Sequence, residues 1–160
     1  MSATASIQPV ILHAPQIATA PSETFPDPSI GGNVSWKTLI SSSTTPSDTF
    51  TVGIATCPSG SKASCPSTTP QRPGHLKLHR HTHAEIYHVT AGIGVVAIDG
   101  VDHEVKKGSV VFIPGDAEHG IRNVGDEELC WLYVFAARGF GEVVYRFSGD
   151  GGGGGVIARL

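Results

Sequence analysis

His79, His81, Glu85 and Tyr87 are separated by even steps, and that parity constrains the fold more than any other feature of the chain. Side chains alternate across a strand, so an extended segment through His79 and His81 points both imidazoles the same way. Glu85 and Tyr87 stay on that face if the strand continues; a short bulge at Thr82, His83 and Ala84 is the other way to re-aim Glu85. A third imidazole, His119, has to arrive from a different strand. This spacing gathers three imidazoles and one carboxylate around a single divalent transition metal. Neutral imidazole nitrogen and carboxylate oxygen suit Fe, Mn, Ni, Co or Zn, with bonds of roughly 2.0–2.2 Å.

The sequence between the two clusters explains how they meet. An apolar run from Gly94 to Ile98 leads into Asp99-Gly100, the dipeptide that most strongly signals a tight hairpin, and Val101 to Val105 returns. After Lys106, Lys107 and Gly108, the run Val110, Val111, Phe112, Ile113 carries the chain towards His119. A sheet closed into a small barrel brings such strands face to face around room for side chains and one ligand. The expected fold class is therefore all-β.

These residues resemble the two motifs of the cupin superfamily. The first motif, Gly-x5-His-x-His-x3–4-Glu-x6-Gly, is met by His79, His81, Glu85 and Gly92, with Gly74 one residue nearer than the pattern asks. The second, Gly-x5-Pro-x-Gly-x2-His-x3-Asn, is met by Gly108, Pro114, His119 and Asn123. Fifteen residues separate the motifs, as in short cupins. At the second motif's inner glycine this chain has Asp116, while Gly115 sits one place early. The resemblance implies a single-domain jelly-roll barrel over residues 33–147, with motifs at 74–92 and 108–123. It implies the metal ligands named above and, since homodimers are frequent in the family, a homodimer through the strands of residues 33–56.

Outside the barrel, residues 1–32 are rich in Pro, Ser, Thr and Ala and read as an irregular arm, with a short edge strand around Val10, Ile11 and Leu12. Residues 34–40 and 49–56 read as strands, residues 57–74 as a long loop of functional length, and residues 128–135 and 143–147 as further strands. No helical periodicity stands out. Residues 148–160 read as a flexible glycine-rich tail. The formal charge of −3 offers no electrostatic footprint for nucleic acid or an anionic membrane, so neither is an expected partner. No basic leader or long apolar stretch stands out, which points to a cytoplasmic protein. Ala158-Arg159-Leu160 resembles a peroxisomal address. Of the three cysteines, Cys57 and Cys65 bracket the loop and Cys130 reads as a small buried hydrophobe; none reads as catalytic.

Tyr87 is the candidate catalytic residue, because its hydroxyl would stand near the metal, where a cation lowers the pKa of groups it polarises. A structural aromatic is the plainer alternative. His83 is either a spare ligand or a loop residue, and His75 and His103 read as surface histidines. His88 should point outward. Lys77 shares the inner face if the strand is regular, where it could pair with a substrate carboxylate, although a rim lysine is the plainer reading; Arg122 and Tyr133 have weaker claims of the same kind. The substrate class is a small organic molecule. A metal-dependent lyase, isomerase or dehydratase fits Lewis-acid activation followed by proton removal. The ligand and tyrosine pattern is similar to that of small cupin dimethylsulfoniopropionate lyases, which implies Tyr87 as base, while the surrounding wording resembles short cupins that tailor fungal natural products. A mononuclear iron dioxygenase and a non-enzymatic metal- or ligand-binding barrel remain open on the same residues.

Overall fold

A computed structural model describes residues 6–60 and 72–148, together with the backbone of Val156–Arg159. Cys65, the glycine run at 151–155, Leu160 and most of the expected loop lie outside the described residues. Two six-stranded antiparallel sheets form the barrel. One contains β1 (Glu23–Thr24), β2 (Ser35–Ile40), β3 (Thr51–Cys57), β10 (Leu129–Phe135), β5 (Glu85–Ala91) and β8 (Val110–Ile113), in that spatial order. The other runs β12 (Val156–Arg159), β11 (Val144–Phe147), β4 (His75–Arg80), β9 (His119–Asn123), β6 (Ile93–Ile98) and β7 (Val101–Lys106).

The middle of the first sheet shows why these residues make these strands. On β3 and β10 every second residue is buried, the alternation expected of a sheet with one face on a core. Across the pair, large residues oppose small ones: Leu129 faces Cys57, Trp131 faces Ala55, and Tyr133 faces Gly53. Only a glycine fits the last position, because a Cβ there would stand 2.2 Å from the Tyr133 hydroxyl. Packing of this kind is tight, and truncating an aromatic such as Trp131 to alanine would cost about 3–5 kcal/mol.

The hairpin expected at Asp99-Gly100 joins β6 to β7, with both residues at positive φ, 46° and 80°. The arm is more ordered than its composition indicates. It carries two short helices, α1 (Ala14–Thr19) and α2 (Pro28–Gly31), the latter capped by the Asp27 carboxylate, which accepts from the Ser29 amide at 2.8 Å. The edge strand is β1, not Val10 to Leu12, which lie outside any strand. Phe25, between β1 and α2, is buried in the barrel's aromatic core. A short segment of that sort has too few residues to show a period in sequence.

The turn before His119 resolves the departure from the glycine pattern. Asp116 adopts the left-handed conformation itself, at φ 63°. Its amide donates to the His81 carbonyl at 2.8 Å, its carbonyl accepts from Arg80 at 2.8 Å, and its carboxylate pairs with Arg146 of β11. Gly115 answers a separate need, since a Cβ there would lie 2.3 Å from the Thr82 carbonyl oxygen. Asp is among the few non-glycine residues that visit this region, and alanine pays roughly 1 kcal/mol or more for doing so. Both Asp116→Gly and Asp116→Ala lose an exposed ion pair, but only the second keeps the backbone penalty. Urea unfolding should find Asp116→Ala less stable than Asp116→Gly by about 1 kcal/mol; equal stabilities would refute the conformational account.

Candidate metal centre

His79 reaches the barrel interior through an irregularity in β4. Leu76 pairs with Ile121 and His79 pairs with His119, so three steps on β4 match two on β9. This extra residue is a β-bulge, and it resets which side chains point inward. Leu76 and His79 are both buried in consequence, while Leu78 is exposed. Of the two readings of Lys77, an inner-face residue or a rim lysine, the structure fits the second: its ammonium donates to the Ser29 carbonyl at 2.8 Å near the surface. His81 lies just past the end of β4, Glu85 opens β5, and His119 opens β9. The break at Thr82, His83 and Ala84 thus separates two strands and turns Glu85 back towards the histidines.

All three imidazoles are oriented in the same way. His79 Nδ1 lies 2.7 Å from the Lys77 carbonyl, His81 Nδ1 lies 2.8 Å from the His83 carbonyl, and His119 Nδ1 lies 2.9 Å from the Ala117 carbonyl. A carbonyl can only accept, so each Nδ1 carries the proton, and in a neutral ring Nε2 presents its lone pair. One ligand atom from each of the three rings lies within 4.8 Å of the others. Glu85 Oε2 stands 3.3 Å from His81 Nε2 and 3.2 Å from His119 Nε2. Adjacent ligands around an ion with bonds near 2.1 Å are separated by about 3 Å, close to these spacings. His79 Nε2 is buried and has no hydrogen-bond partner. Burial and the neighbouring His119 hold the His79 pKa well below its ordinary value, so the ring is neutral and its lone pair open. The residues fit a metal ion, because a cation is the group that satisfies converging lone pairs beside a carboxylate. Burial raises the pKa of the Glu85 carboxyl, and the His119 and His81 contacts bring it down on balance only when their Nε2 atoms carry a proton; beside neutral rings a bound cation would take that proton's place.

Beside Glu85 lies a cavity of about 20 Å³, walled by Glu85, Tyr87, Tyr133, Tyr145, Trp36, Trp131, Phe25 and Phe140, with smaller apolar side chains. It has room for a single water. A larger guest has to displace side chains of this wall. Tyr87 is where parity placed it, buried and facing the interior, with its ring centroid 6.5 Å from that of His119. Burial and the Glu85 charge push its pKa well above the ordinary phenol value, so the phenol is protonated in the absence of a compensating cation. Tyr133 also lines the cavity, and its hydroxyl lies 3.4 Å from Thr38 Oγ1.

Several other candidates fall elsewhere. His88 is exposed on the outer face of β5, as its parity requires, and His103 is exposed on β7. The ring of His83 stays out of the cluster, and its backbone carbonyl is what serves His81. Arg122 is exposed and pairs with Asp102 at 2.6 Å, outside the barrel. Cys130 is not the buried hydrophobe expected, for it sits half-buried on the outer side of β10. Cys57 is fully buried, and burial pushes its thiol up to about 12, an unreactive value. Tyr145 was not singled out by sequence reasoning. It stacks on His79 at 4.6 Å between centroids and, like Tyr87, is held protonated by burial and by Glu85. Nothing local distinguishes Tyr145 from a core aromatic; only the pairing of β11 with β4 brings it here.

Comparisons with known proteins agree with this architecture. The cupin domain family matches residues 69–135. The chain is 38% identical over 137 residues to the dimethylsulfoniopropionate lyase DddW of Ruegeria pomeroyi, an alignment covering 85% of this chain and 80% of that protein. Protein SchB of Streptomyces halstedii is 41% identical over 59 residues, 36% of this chain and 43% of its own length. Among solved structures, the polyketide cyclase RemF from Streptomyces resistomycificus superposes with a TM-score of 0.62 at 18% identity, covering 80% of this chain and 79% of its own. A structure from a study of the lyases RdDddP and RnDddQII gives the same TM-score at 16% identity over 81% and 63% of the two chains. At such identities the last two speak for the fold alone. With its two-sheet barrel, its buried histidine cluster and a relative this similar over most of both lengths, the chain belongs to the cupin superfamily.

Proposed function

We propose that this protein is a metal-dependent cupin lyase, in which His79, His81, Glu85 and His119 hold one divalent transition metal and Tyr87 removes a proton next to a carboxylate of a small substrate. The observation that carries the proposal is the common orientation of the three imidazoles, each anchored through Nδ1 so that Nε2 is open, with His79 Nε2 buried and unpaired. Leaving such a group without a partner costs about 1–3 kcal/mol, which a ligated cation would offset. A divalent ion there supplies positive charge that polarises a bound carboxylate and counteracts Glu85 at the neighbouring phenol.

The similarity to a dimethylsulfoniopropionate lyase supports that compound as the first substrate to test. Its sulfonium matches the aromatic walls of the cavity, since ring faces attract such cations. With a cation bound, Tyr87 would lose its own proton to water and act as a phenolate; in the elimination the C–H bond beside the carboxylate breaks and its proton passes to that phenolate oxygen. The electron pair forms the carbon–carbon double bond, and the C–S bond breaks with its pair leaving on sulfur as dimethyl sulfide. Tyr145 faces the same cavity and is the second residue that could take this proton if deprotonated in the same way. Glu85 keeps the site from being purely cationic, and the aromatic walls keep water from competing. A homodimer through residues 33–56, and a cytoplasmic address or a peroxisomal one read from Ala158-Arg159-Leu160, go with this proposal as further expectations.

Turnover of dimethylsulfoniopropionate without oxygen is the expected result; a strict oxygen requirement would favour the iron dioxygenase instead. Elemental analysis should find about one transition metal per wild-type chain and a sharp fall in His119→Ala. If that variant is unfolded by circular dichroism, Glu85→Gln, which keeps the shape, is expected to bind metal at least tenfold more weakly; unchanged metal content in a folded variant refutes the ligand assignment. Tyr87→Phe is expected to lower kcat by roughly 10²–10⁴-fold with metal retained, the usual contribution of a general base. Wild-type kcat in that variant, with a loss in Tyr145→Phe, would transfer the role to Tyr145.

A further inference from the structure

Two buried side-chain polar atoms among the described residues have no hydrogen-bond partner, and both belong to the barrel interior: His79 Nε2 and Trp36 Nε1. The first is explained by the metal centre; the second is not. Trp36 is the buried, inward residue of β2, and its ring is packed edge-on by Phe25 at 5.1 Å and flanked by Phe140 at 6.1 Å. It walls the same cavity as Glu85, Tyr87 and Tyr145. The indole also borders a surface groove beneath α1, but its nitrogen is shut off from solvent. An indole N–H can only donate, so the group missing from its neighbourhood is an acceptor. Glu85 belongs to the proposed ligand set, the Tyr133 hydroxyl faces Thr38 Oγ1 at 3.4 Å, and no acceptor among the described residues is bonded to the indole nitrogen. A phenylalanine would fill this wall equally well without an unpaired donor, as Phe25, Phe135 and Phe140 do around it.

We propose that Trp36 is a substrate-binding residue whose Nε1–H donates to a carboxylate oxygen of the small molecule that enters the barrel. Hydrogen bonds to a charged acceptor are roughly twice as strong as neutral ones, which favours a carboxylate over a hydroxyl or carbonyl group as its partner. When no such molecule is bound, the cavity has room for one water to take that place. The molecule displaces it, and the donor, held by two aromatic neighbours, needs no reorganisation. This inference rests on the proposed function only in requiring that a small acid enters the cavity.

The test uses the full chain loaded with metal and propionate as the probe, because propionate has the carboxylate and nothing to eliminate. Trp36→Phe keeps an aromatic wall and removes the donor. Calorimetric titration should show roughly tenfold or greater loss of propionate affinity, with Tm equal to or above that of the wild type, since an unpaired buried donor has been removed. Where turnover is measured, KM should rise by a similar factor and kcat change far less. Propionate binding equal to wild type in the variant overturns the proposal, as does a wild-type protein that binds no propionate. A loss of affinity accompanied by a fall in Tm also overturns it, because that pattern marks a packing role. A wild-type chain that binds propionate through Trp36 yet eliminates nothing from dimethylsulfoniopropionate removes that compound as the substrate and leaves this inference standing.

Discussion

Three hydrogen bonds from imidazole Nδ1 to backbone carbonyls govern the interior of this barrel. Each acceptor lies two residues from its histidine: Lys77 before His79, His83 after His81, Ala117 before His119. The bonds are thus local, and they hold whether or not anything occupies the centre. They choose the tautomer, aim the lone pairs, and remove the rotational freedom that a free imidazole would lose on ligation. Outer contacts of this kind make a metal site rigid before the metal arrives. Here they also make the ligand-free interior costly, because the aligned lone pairs face one another and a carboxylate.

The rest of the structure is arranged to bear that cost. Trp131 and Tyr133 lie against Ala55 and Gly53, which lets the first sheet close tightly under the site. Tyr145 stacks on His79 and Phe135 meets the His81 ring edge-on at 5.0 Å, so the imidazoles are walled by aromatic carbon. Phe25 comes from the arm and packs on Trp36 and Phe147, closing the far end. His79, His81, His119 and Glu85 are accordingly almost wholly shut off from bulk water. In a low-dielectric interior, charge on a bound ion, on Glu85 or on a substrate is felt strongly by the phenols.

Much of the site is legible in the primary sequence because its geometry is short-range. The parity of His79, His81, Glu85 and Tyr87 predicts a shared face, and the hairpin residues Asp99 and Gly100 predict the turn that leads back to His119. Lys77 shows where parity fails: one extra residue in β4 reverses the phase, and nothing in the composition of residues 75–80 announces a bulge. Asp116 shows a different limit. A motif read as a string of letters registers a missing glycine, whereas the backbone requires a left-handed residue, and Asp with an arginine partner meets that requirement.

What the sequence by itself determined is the set of candidate ligand residues, the all-β class and the two motif turns, since each depends on alternation or turn chemistry within a few neighbouring residues. Only the tertiary structure decided that Tyr145, Trp36 and Phe25 share a cavity with Glu85 and Tyr87. Those five come from β11, β2, the arm and β5, and no local period relates them. Their meeting is set by which strands pair and how the two sheets close, a long-range property that side-chain packing settles after the local choices have been made.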